Sequence, residues 1–495
     1  MQDERQNHLE RSDVETTYSL LAFNYSLPPS NSNDNSMPAS LQQARPGLVA
    51  RLNLFDATMI VMGGIVGAGI FINPYVVARQ VHTPALILMV WTLGGLVALA
   101  GAFVYAELAA RLPRTGGQYV YLREAYHPAV AFAYGWALLL VIQTGGMAAV
   151  AITFARYFGE LTHIPLAEGW IATGTLLILT AINCLGVRAG STVQNALMLM
   201  KIVVIGALVF CGWFLAPAGH AFGGAVIDRP ISFDLVTAIG AAMIPVIFAF
   251  GGWQTANFIA DEVCEPKKNL PRGLILGVTG VIILYLSVNF VDVRVLGAAG
   301  LAQTAVPASA VMRAAVGERG AVIIAAGIAL SALGFLSQSI LTAPRVYFAM
   351  ARDGIFFNSV AWLHPRTHVP VVAIALQGLW AIVIALSGNY EQILNYFVAM
   401  DCVFFGLTAT CLFVFRARDA RATAEEGGMV AKASDYRVPG HPWTTGLFIA
   451  ACWLVVGSSF YKYPTNSLIG AAIVVAGIPV YFIWGTRVAR ARNST

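Results

Sequence analysis

GGIVGAGIF, residues 63–71, and FAFGGWQ, residues 248–254, interrupt two long apolar stretches of this chain. Apart from proline, glycine is the residue that least favours a helix interior, so each stretch is broken where a spanning helix should be regular. Backbone without its helical hydrogen bonds is tolerated inside a membrane only where it is buried in protein or lines a cavity. If these stretches cross a membrane, the two breaks therefore mark a binding site.

The composition indicates an integral membrane protein. Of 495 residues, 58% are hydrophobic and only 11% are charged, whereas soluble domains carry roughly 25% charged residues. A helix needs about 20 apolar residues to cross a hydrocarbon core of roughly 30 Å. On this basis the sequence predicts an all-α fold with twelve transmembrane helices. We place them near residues 54–78, 85–111, 128–158, 168–184, 193–215, 235–260, 273–291, 320–350, 370–387, 392–416, 443–461 and 464–487.

The basic residues are distributed unevenly between the two sides of the predicted membrane protein. With the N-terminus in the cytoplasm, the loops and span ends on the cytoplasmic side hold twenty Lys and Arg residues, and those on the other side hold seven. Such a bias is the positive-inside signature. We therefore expect a multi-pass protein of the cell (inner) membrane with both termini cytoplasmic. The net charge of +5 is then explained by the basic residues of the cytoplasmic loops, and no nucleic-acid partner is expected.

Each break begins a unit of five predicted spans. Because five is odd, the second unit must be inverted relative to the first, and interrupted helices at matching positions of inverted halves indicate the binding site of a secondary transporter. The last two helices are then a scaffold or a homodimer surface. The predicted segments are a disordered cytoplasmic tail (1–48), the first repeat (49–216), the second repeat (232–416), a basic cytoplasmic loop (417–441), helices 11 and 12 (442–488) and a C-terminal tail (489–495).

The chain carries no motif typical of enzyme chemistry. It has no HExxH, no GxxxxGK[ST] and no GxSxG sequence, the signatures of zinc peptidases, P-loop proteins and serine hydrolases. Its six cysteines form no CxxC pair, so small buried hydrophobes are expected rather than a disulfide or a metal site. We expect no enzyme activity, no cofactor and no metal. A channel is a further alternative, but nothing here resembles a selectivity filter.

The helix ends at the breaks favour opposite charges. The half-helix that follows the first break starts with free N–H groups at Ala68, Gly69 and Ile70, where the helix dipole favours a carboxylate. Carbonyls at the end of the preceding half, near Ile65, and at the second break attract an ammonium group. Backbone alone can therefore recognise the two ends of an α-amino acid. The alternative is that these glycines only allow close helix packing.

Several longer motifs resemble a known family. They are GIVGAGIF (64–71), YAELAARLPRTGGQYVYLREAY (105–126), FAFGGWQTANFIADEV (248–263), EPKKNLPR (265–272) and GIPVYF (477–482). In this order they resemble the amino acid–polyamine–organocation superfamily, and most closely its L-type amino acid transporters, over about residues 48–490. The resemblance implies a leucine-transporter-like fold with interrupted helices 1 and 6. It also implies an amino acid permease, expected to be a sodium-independent exchanger that works by alternating access.

The resemblance assigns roles to residues of the two breaks. It implies that backbone at Ala68 and Gly69 holds the carboxylate, that carbonyls at Ile65, Phe248 and Gly251 hold the amine, and that the Phe248 ring covers the substrate. Gln254 stands where relatives more often have asparagine, and it could help to shape the pocket. Gly67, within the first break, is expected to belong to the substrate site as well.

Lys201, within LMLMKIVVIG, is a charged residue in the fifth predicted span. A charge there costs several kcal/mol unless it is paired or hydrated. Either Lys201 reaches the cytoplasmic interface, or its ammonium touches the unwound first helix near Gly67. The resemblance favours the second position, where the lysine removes the need for sodium. Loss of its proton would leave proton coupling open.

Asp401, within NYFVAMDCVFF, departs from the related transporters, which carry a neutral amide facing the substrate side chain. A carboxylate inside a membrane span is a functional hypothesis by default. It could favour an amine or a hydroxyl on the substrate, or carry a proton, or be satisfied by neighbouring donors or water. The alternative function is therefore a proton-coupled transporter or an exporter of cationic or modified amino acids.

The partners expected from the sequence are the amino acid substrate and membrane lipid. Animal members of the family join a single-span partner through a cysteine in the loop between spans three and four. Residues 156–170 of this chain contain no cysteine, so we expect no disulfide-linked heavy chain.

Overall fold

The structure of the chain is a computed structural model. It describes residues 52–114, 116–185, 191–217, 226–227, 230–365, 367, 369–388, 390–425 and 436–492. The predicted N-terminal tail lies outside the described residues, as do parts of the basic loop and the last three residues of the C-terminal tail.

The first predicted span consists of two helices, α1 (Leu54–Ile65) and α2 (Gly69–Val81), whose axes differ by 42°. Helix α1 begins at a capping box: the Asn53 side chain accepts from the Asp56 N–H, and the Asp56 carboxylate accepts from the Asn53 N–H, both at 3.0 Å. These bonds satisfy two of the donors that every helix start leaves free. The span therefore starts as a regular helix and is interrupted only at the glycine motif.

The other described helices follow in chain order and are numbered accordingly. Between α5 and α6 lies a π-helical turn, Leu138–Ile142, and between α9 and α10 a 3₁₀ helix, Trp253–Glu262. The helices are α3 (Pro84–Arg111), α4 (Gln118–Ala125), α5 (Pro128–Ala137), α6 (Gln143–Thr162), α7 (Glu168–Cys184), α8 (Ser191–Phe214), α9 (Phe233–Phe250), α10 (Pro266–Gln303), α11 (Pro307–Val316), α12 (Glu318–Thr342), α13 (Pro344–Arg352), α14 (Val371–Ser387), α15 (Tyr390–Glu425), α16 (Trp443–Lys462) and α17 (Pro464–Arg492).

The length and apolar character of the described helices indicate a multi-pass membrane protein. Within the described ranges, eight helical segments are long and apolar enough to cross a membrane, and the bent pair α1–α2 would make a ninth. The apolar helices Met198–Phe214 and Val371–Ser387 are shorter, and α7 lies on another predicted span. All-helical architecture and membrane spans are thus confirmed, while the number twelve and the inverted repeat stay predictions.

Helix α10 organises the region around the breaks, because it packs along both α1 and α3. The contact with α1 is close: a Cβ added at Gly277 would lie 2.6 Å from the Val61 side chain, and one at Gly273 would lie 3.1 Å from Ala57. Small residues let helix backbones approach in this way inside a membrane. As a result, the middle of α10 is held against the end of α1, where the first break occurs.

The start of α1 is also joined to the end of the 3₁₀ helix. The Leu52 N–H donates to the carbonyl of Glu262 at 3.0 Å, and the Cys264 N–H donates to the carbonyl of Leu52 at 2.8 Å. Among the described residues this isolated bridge is the only β pairing. It ties the half-helix before the first break to the half-helix after the second.

Candidate functional site

The first break replaces one turn of helix by irregular backbone. Helix α1 ends at Ile65, and Val66 adopts a non-helical conformation with φ −73° and ψ 83°. The Gly67 N–H donates to the Ile65 carbonyl at 2.8 Å, and α2 begins at Gly69. The first N–H groups of α2 therefore have no carbonyl acceptor in a preceding helical turn, as the sequence predicts.

The second break ends α9. The Gly251 N–H donates to the carbonyls of Ile247 at 2.7 Å and Phe248 at 3.1 Å, and Gly252 takes the left-handed conformation with φ +111°. Only glycine adopts this conformation without strain. The Gln254 side chain accepts from the Gly252 N–H at 3.0 Å. Gln254 thus holds the broken backbone in place, in addition to reaching the cavity described below.

The two breaks touch each other. A Cβ at Gly252 would lie 2.1 Å from the Gly64 carbonyl oxygen. Across the same junction, the Tyr285 hydroxyl of α10 lies 3.1 Å from the Ile65 carbonyl oxygen and 3.2 Å from that of Ala249. Tyr285 is fully buried. It links the C-terminal ends of the two interrupted helices, and the sequence reasoning missed it because a tyrosine in an apolar helix gives no local signal.

One cavity of about 70 Å³ lies between the breaks. Its walls include every residue predicted to contact the substrate, and Lys201 is outside them. The predicted residues that line it are Ile65, Gly67, Ala68, Gly69, Phe248, Gly251, Gln254 and Asp401.

Further parts of the wall come from two helices that the sequence did not indicate, α6 and α12, and from residues next to the predicted ones. Helix α6 and the residue range 335–342 of α12 supply polar side chains, and Phe397 of α15 supplies a ring. The Phe248 and Phe397 rings meet edge to face, with centroids 5.3 Å apart. The additional polar and aromatic residues are Gln143, Thr255, Phe335, Gln338, Ser339, Thr342 and Phe397.

Lys201 lies behind the first break and is only 2% exposed. Its Nζ donates to the Val66 carbonyl at 2.7 Å and lies 3.4 Å from the Gly63 carbonyl oxygen. No carboxylate among the described residues lies within ion-pair distance of Nζ. The structure thus places the ammonium against the unwound backbone next to Gly67. It does not place Lys201 at the cytoplasmic interface.

Asp401 contributes the one ionisable side chain of the cavity wall, as far as the structure describes it. No Lys, Arg or His among the described residues forms an ion pair with it. It belongs to α15, one turn beyond Phe397, so both side chains project from the same face of that helix. The sequence hypothesis that Asp401 faces the substrate side chain is therefore compatible with its position.

Helix α2 is fastened to three other helices beyond the cavity. The fully buried Asn73 donates to the Pro245 carbonyl of α9 at 2.7 Å and accepts from the Tyr390 hydroxyl of α15 at 2.6 Å. The Tyr157 hydroxyl of α6 donates to the Phe71 carbonyl at 2.7 Å. These bonds fix the direction of the free N–H groups at the start of α2.

A family model described as amino acid permease matches residues 52–484. The chain belongs to the amino acid permease family. This permease, a member of the amino acid–polyamine–organocation superfamily, is similar to transporters from bacteria and animals. It is 29% identical over 445 residues to the serine/threonine exchanger SteT of Bacillus subtilis. The aligned region covers 88% of this chain and 97% of SteT.

Two animal relatives are similar to the permease over slightly different lengths. The b(0,+)-type amino acid transporter 1 of Homo sapiens is 29% identical, over 76% of this chain and 79% of its own. The large neutral amino acids transporter small subunit 2 of Rattus norvegicus is 26% identical, over 92% of this chain and 85% of its own length. The family and these relatives are transporters and not enzymes, which confirms the expectation from the motifs.

Proposed function

We propose that this permease is a secondary active transporter that exchanges α-amino acids by alternating access without sodium. The observation that carries the proposal is the cavity that both helix breaks line. The start of α2 at the first break offers the N-terminal end of a helix, and α1 and α9 offer C-terminal ends. A zwitterion carries one charge for each.

In this proposal the substrate's carboxylate accepts from the N–H groups at Ala68 and Gly69. Its ammonium donates to carbonyls at Ile65, Phe248 and Gly251. Since the Tyr285 hydroxyl has one proton and faces two carbonyls, it can satisfy one and leave the other for the ammonium. Gln254 stabilises the second break, and the Phe248 ring covers the bound amino acid.

Lys201 supports the sodium-independent part of the proposal. Its ammonium occupies the space against the Val66 carbonyl, where a cation stabilises backbone that has lost its helical hydrogen bonds. A fixed positive charge at this place removes the need for a bound sodium ion.

The same proposal includes an architecture. Twelve spans form two inverted repeats, residues 49–216 and 232–416, and the last two helices at 442–488 lie outside the transport path. The tails at 1–48 and 489–495 and the loop at 417–441 face the cytoplasm, and the protein lies in the cell (inner) membrane. Transport then consists of a rocking of the helices that carry the breaks against the others. The chain works without a disulfide-linked heavy chain.

Counterflow in proteoliposomes tests this function. Purified protein is reconstituted with unlabelled amino acids inside, and uptake of radiolabelled serine, alanine, leucine or ornithine is followed with sodium or choline outside. We expect uptake of at least one of them to require internal amino acid and to be equal in the two salts. Uptake without any stimulation from the far side would favour a channel, and uptake that requires sodium would contradict the proposed role of Lys201.

Gly69→Leu separates the proposed site from general packing. A Cβ at Gly69 would lie 3.0 Å from the Ala249 Cα, so a leucine fills the space at the start of α2 and should abolish exchange. The matched control is Gly174→Leu, because a Cβ at Gly174 has no neighbour within 4 Å. Equal transport by both variants would refute the carboxylate site.

A further inference from the structure

Asp401 lies on a part of the cavity wall that the proposed contacts to the substrate's α-carboxylate and α-ammonium do not involve. The proposed contacts to the carboxylate and the ammonium come from the two breaks, on α1, α2 and α9. Asp401 belongs to α15, together with Phe397, whose ring touches that of Phe248. A substrate held at the breaks must therefore place its side chain towards α15, α6 and α12.

The charge of Asp401 is not balanced by a neighbour. Neither the cavity wall nor the remaining described residues place a cation within ion-pair distance of it. The buried Lys201 donates to the carbonyls of Val66 and Gly63 instead. Tyr105 on α3, Tyr134 on α5 and Cys402 beside it are near enough to sense a charge on Asp401, and none of these is a cation.

We propose that Asp401 binds an ammonium group at the end of the substrate's side chain, so that this permease takes diamino acids. This inference rests on the proposed function and names its substrate class. A zwitterion is neutral and offers Asp401 no counterion, so the side chain must either stay as an uncompensated carboxylate, which is costly inside a membrane, or take up a proton. A diamino acid has a net charge of +1, and the ammonium of its side chain balances the negative charge of Asp401.

A hydroxyl on the substrate is a weaker match. It could donate one hydrogen bond to Asp401 but would leave the negative charge uncompensated. An ammonium can donate the same kind of hydrogen bond and adds the attraction between opposite charges, which is stronger in a protein interior than in bulk water. The structure therefore favours an amine over a hydroxyl.

Exchange of isosteric pairs tests the inference. Ornithine and norleucine have side chains of the same length and differ in a terminal ammonium or methyl, as 2,4-diaminobutyrate and norvaline do. We expect wild-type protein to exchange the diamino member better, and Asp401→Asn to reduce the ratio of diamino to neutral exchange by about tenfold or more. The same ratio in both proteins, or a wild-type preference for the neutral member of both pairs, would overturn the inference.

The outcomes separate this inference from the proposed function. Wild-type protein that exchanges norleucine or serine but neither diamino acid would refute the diamino substrate and leave the proposed exchanger standing. Wild-type protein that exchanges no amino acid would refute both.

Two further measurements exclude a general effect of the substitution. Asp419→Asn makes the same change on α15, at a residue paired with Arg111 at 2.6 Å outside the cavity, and should leave the exchange ratio unchanged. Thermal stabilisation of wild-type protein in detergent does not depend on whether the variant folds. Ornithine should raise the melting temperature more than norleucine at equal concentration, and the reverse order would contradict the inference.

Discussion

Lys201 shows how one side chain can stabilise an irregular backbone. Its ammonium lies 2.7 Å from the Val66 carbonyl oxygen and is almost completely buried. In Lys201→Met the stem keeps its packing, but the carbonyls of Val66 and Gly63 lose their charged donor. Since hydrogen bonds to charged groups contribute about 1.5–3 kcal/mol, we expect exchange to fall by about tenfold or more.

The measurement is the initial rate of counterflow at saturating substrate. Lys462→Met is the control, because Lys462 pairs with Asp234 near the end of α16 at 3.3 Å and lies far from the breaks along the chain. A Lys201→Met protein with the wild-type rate would exclude Lys201 from the transport mechanism.

Tyr285 allows a test in which a single hydroxyl group is removed. Its ring packs against Trp91 and Phe250 with centroids 5.9 and 5.0 Å away, so Tyr285→Phe keeps the packing and removes only the hydroxyl. A neutral hydrogen bond contributes about 0.5–1.5 kcal/mol, which predicts a KM about two- to tenfold higher. Tyr461→Phe, at an exposed tyrosine of α16, should leave KM unchanged. An unaltered KM in Tyr285→Phe would mean that the hydroxyl does not prepare the site.

At the element scale, the site depends on two helix breaks that fit against each other. Gly252 requires both a positive φ and the absence of a side chain, since its Cβ would meet the Gly64 carbonyl oxygen. Gly252→Ala should therefore separate the breaks, abolish exchange and lower the melting temperature in detergent. In Gly457→Ala the new methyl has no neighbour within 4 Å, and alanine favours a helix interior, so stability should be kept or increased. A fully active Gly252→Ala protein would show that the breaks need not touch.

The elements could be predicted to different degrees. The helix ends at residues 63–71 and 248–254 follow from glycine's weak helix preference and are confirmed. Helices α8 and α14 were placed from apolar runs, although their described apolar parts are shorter than a full span. Apolar content alone indicates that a segment is buried in lipid or protein, and it does not distinguish the two.

At the scale of the whole molecule, a buried ion network joins distant parts of the chain. Glu107 of α3 is fully buried and accepts from Arg111 at 2.9 Å, from Arg416 of α15 at 2.6 Å and from the Val438 N–H at 2.7 Å. Removing one partner of a buried ion pair leaves an uncompensated charge and costs about 3–5 kcal/mol. Glu107→Gln should therefore lower the melting temperature clearly.

The measurement is thermal unfolding in detergent without substrate. Glu265→Gln is the control, since Glu265 is exposed, precedes α10 and pairs with Lys268 in the first turn of that helix at 2.9 Å. Exposed pairs contribute little to stability. Equal melting temperatures for the two variants would show that the Glu107 network does not support the fold.

The sequence by itself determined the class of the protein and the position of its site along the chain. Composition and apolar runs indicate membrane helices, and the two glycine motifs mark where backbone becomes available for binding. These features are local, because a helix break needs only its own residues. The family, too, is recognisable from motifs in order, and the match to residues 52–484 confirms it.

Only the tertiary structure decided which residues meet. Gly64 and Gly252 are in contact, Tyr285 reaches both breaks, and the polar residues of α6 and α12 line the same cavity. These contacts join parts of the chain that are far apart, and helix periodicity reports which face is apolar without naming its partner. The same holds for Asp401: the sequence identified an unusual carboxylate, and packing placed it in the cavity wall, where no cation from the described part of the chain pairs with it.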